Sequence, residues 1–126
     1  MAAATPDLPL IGRSAVVTND VESQLPTSPE RKKVVVNEDV FLNETVYTVS
    51  DSAMVVEFRD GSTLELGPDA VFTIDKLVFN PEKSTTEKAV NIIQGTFRYV
   101  SGFAVDKQTV DIKTPSGTLG IRGHRQ

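Results

Sequence analysis

AMVVEFRDGSTLEL, residues 53–66, alternates apolar and polar side chains on both sides of an Asp-Gly pair. Met54, Val56 and Phe58 fall on one face of the first half and Leu64 and Leu66 on one face of the second, the period of two that marks half-buried strands. A two-residue turn at Asp60-Gly61 would set Glu57 against Leu64 and Val56 against Glu65, breaking the apolar face. A three-residue loop, Arg59-Asp60-Gly61, instead pairs Phe58 with Ser62, Val56 with Leu64 and Met54 with Leu66. It requires Gly61 in the left-handed region, where glycine carries no Cβ penalty. Asp60 reads as a turn former that hydrogen-bonds locally, rather than as a catalytic or metal-binding group.

Outward from this hairpin the same period recurs. SAVV (14–17), KVVV (33–36), VFTI (71–74), LVF (77–79), AVNII (89–93), TFRYV (96–100), TVDI (109–112) and TLGI (118–121) are short strand candidates separated by Asp-Gly, Gly-Pro, Asn-Pro, Ser-Gly and Thr-Pro. The expected fold is all-β, with antiparallel strands in a roll or solenoid-like arrangement or a sandwich. The segment 22–33 carries two prolines and is expected to be a surface loop, and 80–88, NPEKSTTEK, a polar hairpin arm or loop. TLELGPDAVFTI (63–74) and TVDIKTPSGTLGI (109–121) share a strand, a proline corner and a second strand, which suggests a repeated unit.

Composition narrows the function. The chain has 126 residues, 13 Lys+Arg against 17 Asp+Glu, and no Cys. The acidic balance removes the counterion-release term that drives nucleic-acid binding, and the lack of Cys removes disulfides and thiolate chemistry. No apolar run reaches the ~18 residues of a membrane span, so direct membrane insertion is not expected. MAAATPDLPLIGR (1–13) has neither a basic nor a continuous apolar segment of the kind found in signal peptides.

Catalytic and metal motifs are not evident. Gly117, Gly120 and Gly123 have the spacing of a phosphate loop, but no helical pattern follows them, and close packing in a strand accounts for them better. His124 has no Ser or Cys placed as a partner and reads as a frayed terminal residue. Glu57, Glu65 and Asp111 fall at outward strand positions, and no calcium-loop spacing is present. Asn43-Glu44-Thr45 fits a glycosylation acceptor. With no Trp and 2 Tyr, the chain lacks an aromatic platform for sugars.

Three ordered motifs, DGSTLELGPDAVFTID (60–75), QGTFRYVSG (94–102) and VDIKTPSGTLGIRG (110–123), together resemble the FecR domain, the extracytoplasmic sensor module of bacterial iron-citrate regulators and of other exported proteins. NEDVFLNETVYTVSDSAMVVEF (37–58) resembles the segment that precedes them. The resemblance spans residues 11–123 and assigns family-motif structural positions to Asp60, Gly61, Ser62, Pro68, Gly95, Phe97, Thr114, Pro115, Gly120, Arg122 and Gly123. It implies a periplasmic or secreted, non-enzymatic binding or sensor module without cofactor or metal, recognising a protein partner in envelope signalling. A structural β-module of an exported protein or adhesin, able to bind glycans, is the alternative.

The resemblance also sets the expected domain layout, with residues 1–10 an N-terminal extension and 11–126 the β domain. In the family, the last Arg-Gly is followed by Thr and a further alternating strand, whereas here His124 follows. The expectation is therefore that the family's last strand is missing, that an edge near Leu119 and Ile121 is uncovered, and that strand addition or weak self-association occurs there.

Overall fold

A computed structural model describes residues 8–102 and 106–124 of the chain, and among these the fold is all-β. The strands are β1 (Leu10–Thr18), β2 (Val21–Gln24), β3 (Lys32–Lys33), β4 (Asp39–Phe41), β5 (Thr45–Thr48) and β6 (Ala53–Phe58), followed by β7 (Thr63–Leu66), β8 (Val71–Asn80), β9 (Thr85–Gln94), β10 (Phe97–Val100), β11 (Lys107–Thr114) and β12 (Gly117–His124). They form a five-stranded sheet in the order β10-β7-β6-β1-β4 and a seven-stranded sheet in the order β12-β11-β9-β8-β5-β2-β3. All pairings are antiparallel except that of β9 with β11. The expected all-β fold of antiparallel strands is present, with this one parallel pair in the larger sheet. The chain leaves β9 for the other sheet through β10 before it returns as β11, and this crossover allows two parallel neighbours.

The inward faces of the two sheets make one core. Met54, Val56, Phe58, Leu64 and Leu66 from the β6–β7 hairpin meet Phe72, Ile74, Val90, Ile92, Val110 and Ile112 from the larger sheet, all nearly sealed from solvent. The hairpin has the register its pattern requires: Met54 pairs with Leu66 and Val56 with Leu64, and the Phe58 amide donates to the Ser62 carbonyl. Gly61 takes φ 86°.

Several sequence expectations are corrected. VFTI and LVF are one strand, β8, bent by an irregularity between Ile74 and Lys76, so its face switches along its length. β2 overlaps the start of the segment 22–33 read as a loop: Val21 and Ser23 are buried, and within 22–33 only the part between β2 and β3 lacks strand structure. Of the KVVV candidate only Lys33 is in a strand, β3; Val34 packs inward, while Val35 and Val36 are exposed. β4 and β5, too short to show alternation, flank a turn at Leu42–Glu44.

The suggested internal repeat is not a structural one. TLEL to VFTI is a passage from one sheet to the other, whereas TVDI to TLGI is a hairpin within one sheet, with Thr114 paired to Gly117. The physical difference lies in what holds each proline corner. The Pro68 corner is held by Thr48, whose hydroxyl donates to the Gly67 carbonyl at 2.6 Å and accepts from the Ala70 amide at 2.8 Å. The Pro115 corner is closed by its own Thr114, whose hydroxyl donates to the Gly117 carbonyl at 2.9 Å.

Candidate functional site

Charge chemistry concentrates where the β6–β7 loop meets the inward face of β9. Along β9 the inward positions are Thr86, Lys88, Val90 and Ile92, so Lys88 sits in an apolar row between its cross-strand neighbours Leu77 and Val110. Its side chain is fully buried, and so is that of Asp60 across the gap between the sheets. Lys88 Nζ donates to Asp60 Oδ2 and to Ser62 Oγ, each at 2.5 Å. Thr86 donates to the same Asp60 oxygen at 2.7 Å. The other carboxylate oxygen accepts from the Ser62 hydroxyl at 2.5 Å and from the Ser62 amide at 3.0 Å. Lys88 Nζ also lies 4.6 Å from the centre of the Phe58 ring and 5.1 Å from that of Tyr99, within cation–π range.

This arrangement satisfies a buried charge pair rather than exposing a reactive one. Burial pushes the Asp60 carboxyl up, but the Lys88 ammonium and the hydrogen bonds from Lys88, Ser62 and Thr86 outweigh it and hold the group below its ordinary 3.8. Burial lowers Lys88 from its ordinary 10.5, and the Asp60 charge and hydrogen bond offset only part of that. Burial pushes the Tyr99 phenol up to about 12; its hydroxyl approaches Ser62 without reaching hydrogen-bonding geometry. Both charges are desolvated and paired, so neither faces solvent. The role of the cluster is to pin the hairpin loop of one sheet to the middle of the other.

Asp60 is therefore more than a local turn former. Its Oδ1 makes the expected bond to the amide two residues on, while its Oδ2 faces Lys88. Lys88 did not stand out in the sequence, because a charged residue within NPEKSTTEK reads as a solvated arm. The available signal was parity: Val90 and Ile92 face inward, so Lys88 and Thr86 must as well.

The other family-motif positions serve the backbone around this core. Gly61 shapes the loop. Gly95, at φ 98°, lies against the Pro68 corner so closely that a Cβ would come within 2.5 Å of Ala70 Cα. Phe97 is half-buried in β10. Thr114 and Pro115 form the β11–β12 turn, and Gly120, Arg122 and Gly123 lie in β12. Arg122 reaches Asp111 Oδ1 at 3.0 Å and the Val110 carbonyl at 3.2 Å. Among the described residues no helix follows the three spaced glycines, which lie in one strand. The backbone of His124 is paired with Lys107, which corrects the expectation of a frayed residue there. Glu57, Glu65 and Asp111 each meet an arginine, Arg13, Arg98 and Arg122 respectively, at the outer surface.

A second buried carboxylate ties the N-terminal strands to this framework. Glu44, 2% exposed, accepts from Ser23 of β2 at 2.6 Å and from the Phe41 amide at 3.0 Å. Glu44 in this setting is a structural acid, and its neighbour Asn43 adopts the left-handed conformation of a turn residue. Among the described residues no cluster of three or more His, Asp or Glu is placed to hold a metal ion.

Against known proteins, the chain matches the family model described as FecR protein over residues 44–126. No curated protein and no solved structure matches it significantly. The family match takes in about two thirds of the sequence and every member of the buried cluster, from Phe58 and Asp60 to Lys88 and Tyr99, and the protein belongs to the FecR family.

Proposed function

We propose that this chain is a non-enzymatic binding module that recognises a protein partner in bacterial envelope signalling, acting in the periplasm or outside the cell. The FecR family is a regulatory family of envelope-associated signalling proteins, which supplies the general frame. One contrast within the molecule supports the finer reading. The charged chemistry of Asp60 and Lys88 is sealed between the sheets and spent on holding them together, while the outer strands β10 and β12 each pair on one side only among the described residues. Open backbone edges on a rigid sandwich recognise extended segments of other proteins, because main-chain pairing supplies affinity and alternate side chains supply selectivity.

The test is titration calorimetry of the purified chain against the soluble extracytoplasmic domains of the proteins encoded beside it. Saturable binding to one of them is expected. Absence of binding to all of them would overturn the protein-binding reading. Turnover in esterase, protease or phosphatase panels that disappears in Ser116→Ala would overturn the non-enzymatic one.

A further inference from the structure

We propose that the five-stranded sheet accepts a sixth strand at the free edge of β10, supplied by a protein partner as an extended segment with apolar residues at alternate positions and an acidic residue across from Arg98. The inference rests on the protein-binding reading above and gives it a place, the β10 edge rather than the outer edge of β12.

Backbone parity identifies the open groups. The Gly67 amide donates to the Thr96 carbonyl, and β10 runs antiparallel to β7 with Arg98 opposite Glu65 and Tyr99 opposite Leu64. Hydrogen-bonded and non-hydrogen-bonded pairs alternate in such a ladder, so Arg98 and Val100 turn their backbone groups toward β7. Phe97 and Tyr99 turn theirs the other way, where no described strand pairs with them. β10 contains neither a proline nor a bulge to blunt this edge.

The opposite sheet supplies the second observation. Val110 and Ile112 of β11 are sealed, but their cross-strand partners in β12 are not: Leu119 is 51% exposed and Ile121 only half-buried. All four side chains lie on the inward face, so the larger sheet extends past the cover that β10 provides. A strand added beyond β10, at the usual spacing of about 4.8 Å, would lay its inward side chains over Leu119 and Ile121. A strand added to the outer edge of β12 would widen that sheet and leave Leu119 bare. Charge decides the outward positions. Arg98, 75% exposed, meets Glu65 only at 3.8 Å, and an acid on its other flank would complete a cross-strand trio.

The experiment appends to the full chain, through a Gly-Ser linker, a strand reading Val-Glu-Val-Thr-Val, with a control of the same composition in which the valines are contiguous. Amide exchange by NMR is expected to slow at Phe97 and Tyr99 by at least tenfold in the first chain and not in the control. Arg98→Glu should weaken that protection, and Val-Lys-Val-Thr-Val should restore it. Protection confined to β12, or absent from both edges, would overturn the site. Concentration-dependent dimerisation of the unextended chain that protects Phe97 and Tyr99 would replace the partner with a second copy and overturn that assignment. Because the appended strand needs no identified partner, failure of the calorimetric titration leaves this result standing, and the two readings fall separately.

Discussion

The β6–β7 and β11–β12 hairpins are built from similar chemistry and end in opposite circumstances. Each has a short turn with glycine at positive φ, Gly61 at 86° and Gly117 at 143°. Each carries a Ser or Thr hydroxyl that bonds across the turn. The first has the other sheet lying over it, so its loop carboxylate is desolvated and must find Lys88. The second is only partly covered, with Val110 and Ile112 sealed but Leu119 51% exposed, and its charges, Asp111 and Arg122, pair in solvent on the outer face. The same local grammar thus yields a structural lock in one place and an adaptable edge in the other, and the overlying layer makes the difference.

The largest expected effect breaks the lock. Lys88→Met leaves a buried carboxylate without its counter-charge and should destabilise the fold by about 3–5 kcal/mol, read as a shift in the denaturation midpoint. Adding Asp60→Asn to the same chain should recover much of that loss, since replacing both members of a buried pair costs far less than removing one. A double variant as unstable as the single one would show that the pair does not act as a unit.

The next effect is the sign of the pH dependence. In the native chain the folded Asp60 carboxyl lies below its ordinary 3.8, so the folded state binds fewer protons there than the unfolded state. Its stabilisation is complete above the unfolded value and is lost as the pH falls through the folded one. In Lys88→Met the ammonium is gone and burial, the largest single influence, is opposed only by the Ser62 and Thr86 hydrogen bonds, so the carboxyl is expected to rise above its ordinary value. The folded variant then binds more protons, and its stability should increase as the pH drops from neutral toward the unfolded value. Denaturation at a series of pH values should show the variant gaining stability between neutral pH and the unfolded value, while the contribution of Asp60 in the native chain stays level over that range and falls only below it; parallel curves would refute the coupling.

Smaller still is the turn itself. Gly61→Val forces a β-branched residue to positive φ and should cost on the order of 1 kcal/mol or more. An unchanged midpoint would count against the strained loop. At the bottom of the scale, Arg122→Ala removes an exposed ion pair and should change stability by no more than about 0.5–1 kcal/mol. A loss approaching that of Lys88→Met would erase the distinction between the two hairpins.

Much of the architecture was legible in residues 53–66 and their neighbours. Met54, Val56, Phe58, Leu64 and Leu66 announced an inward face, and the clash of Glu57 with Leu64 in a tighter turn selected the three-residue loop before any tertiary contact was considered. Those are local consequences of a side-chain period of two, and a sequence carries them in full. β2 and β4 were obscured because Ser23 and Asp39 interrupt short apolar patterns, and their burial or pairing depends on partners distant in the chain.

What the sequence determined by itself was the class of the fold, the register of the central hairpin and membership of an all-β family, since alternation and turn residues act over a few positions. Tertiary structure alone decided that Asp60 and Lys88, 28 residues apart, meet between the sheets. It also decided that two similar proline corners do different things, and that Leu119 stays half-open while Ile112 beside it is sealed. The reason is the same in each case. Desolvation depends on the layer packed above a strand, and that layer comes from a part of the chain that no local pattern identifies.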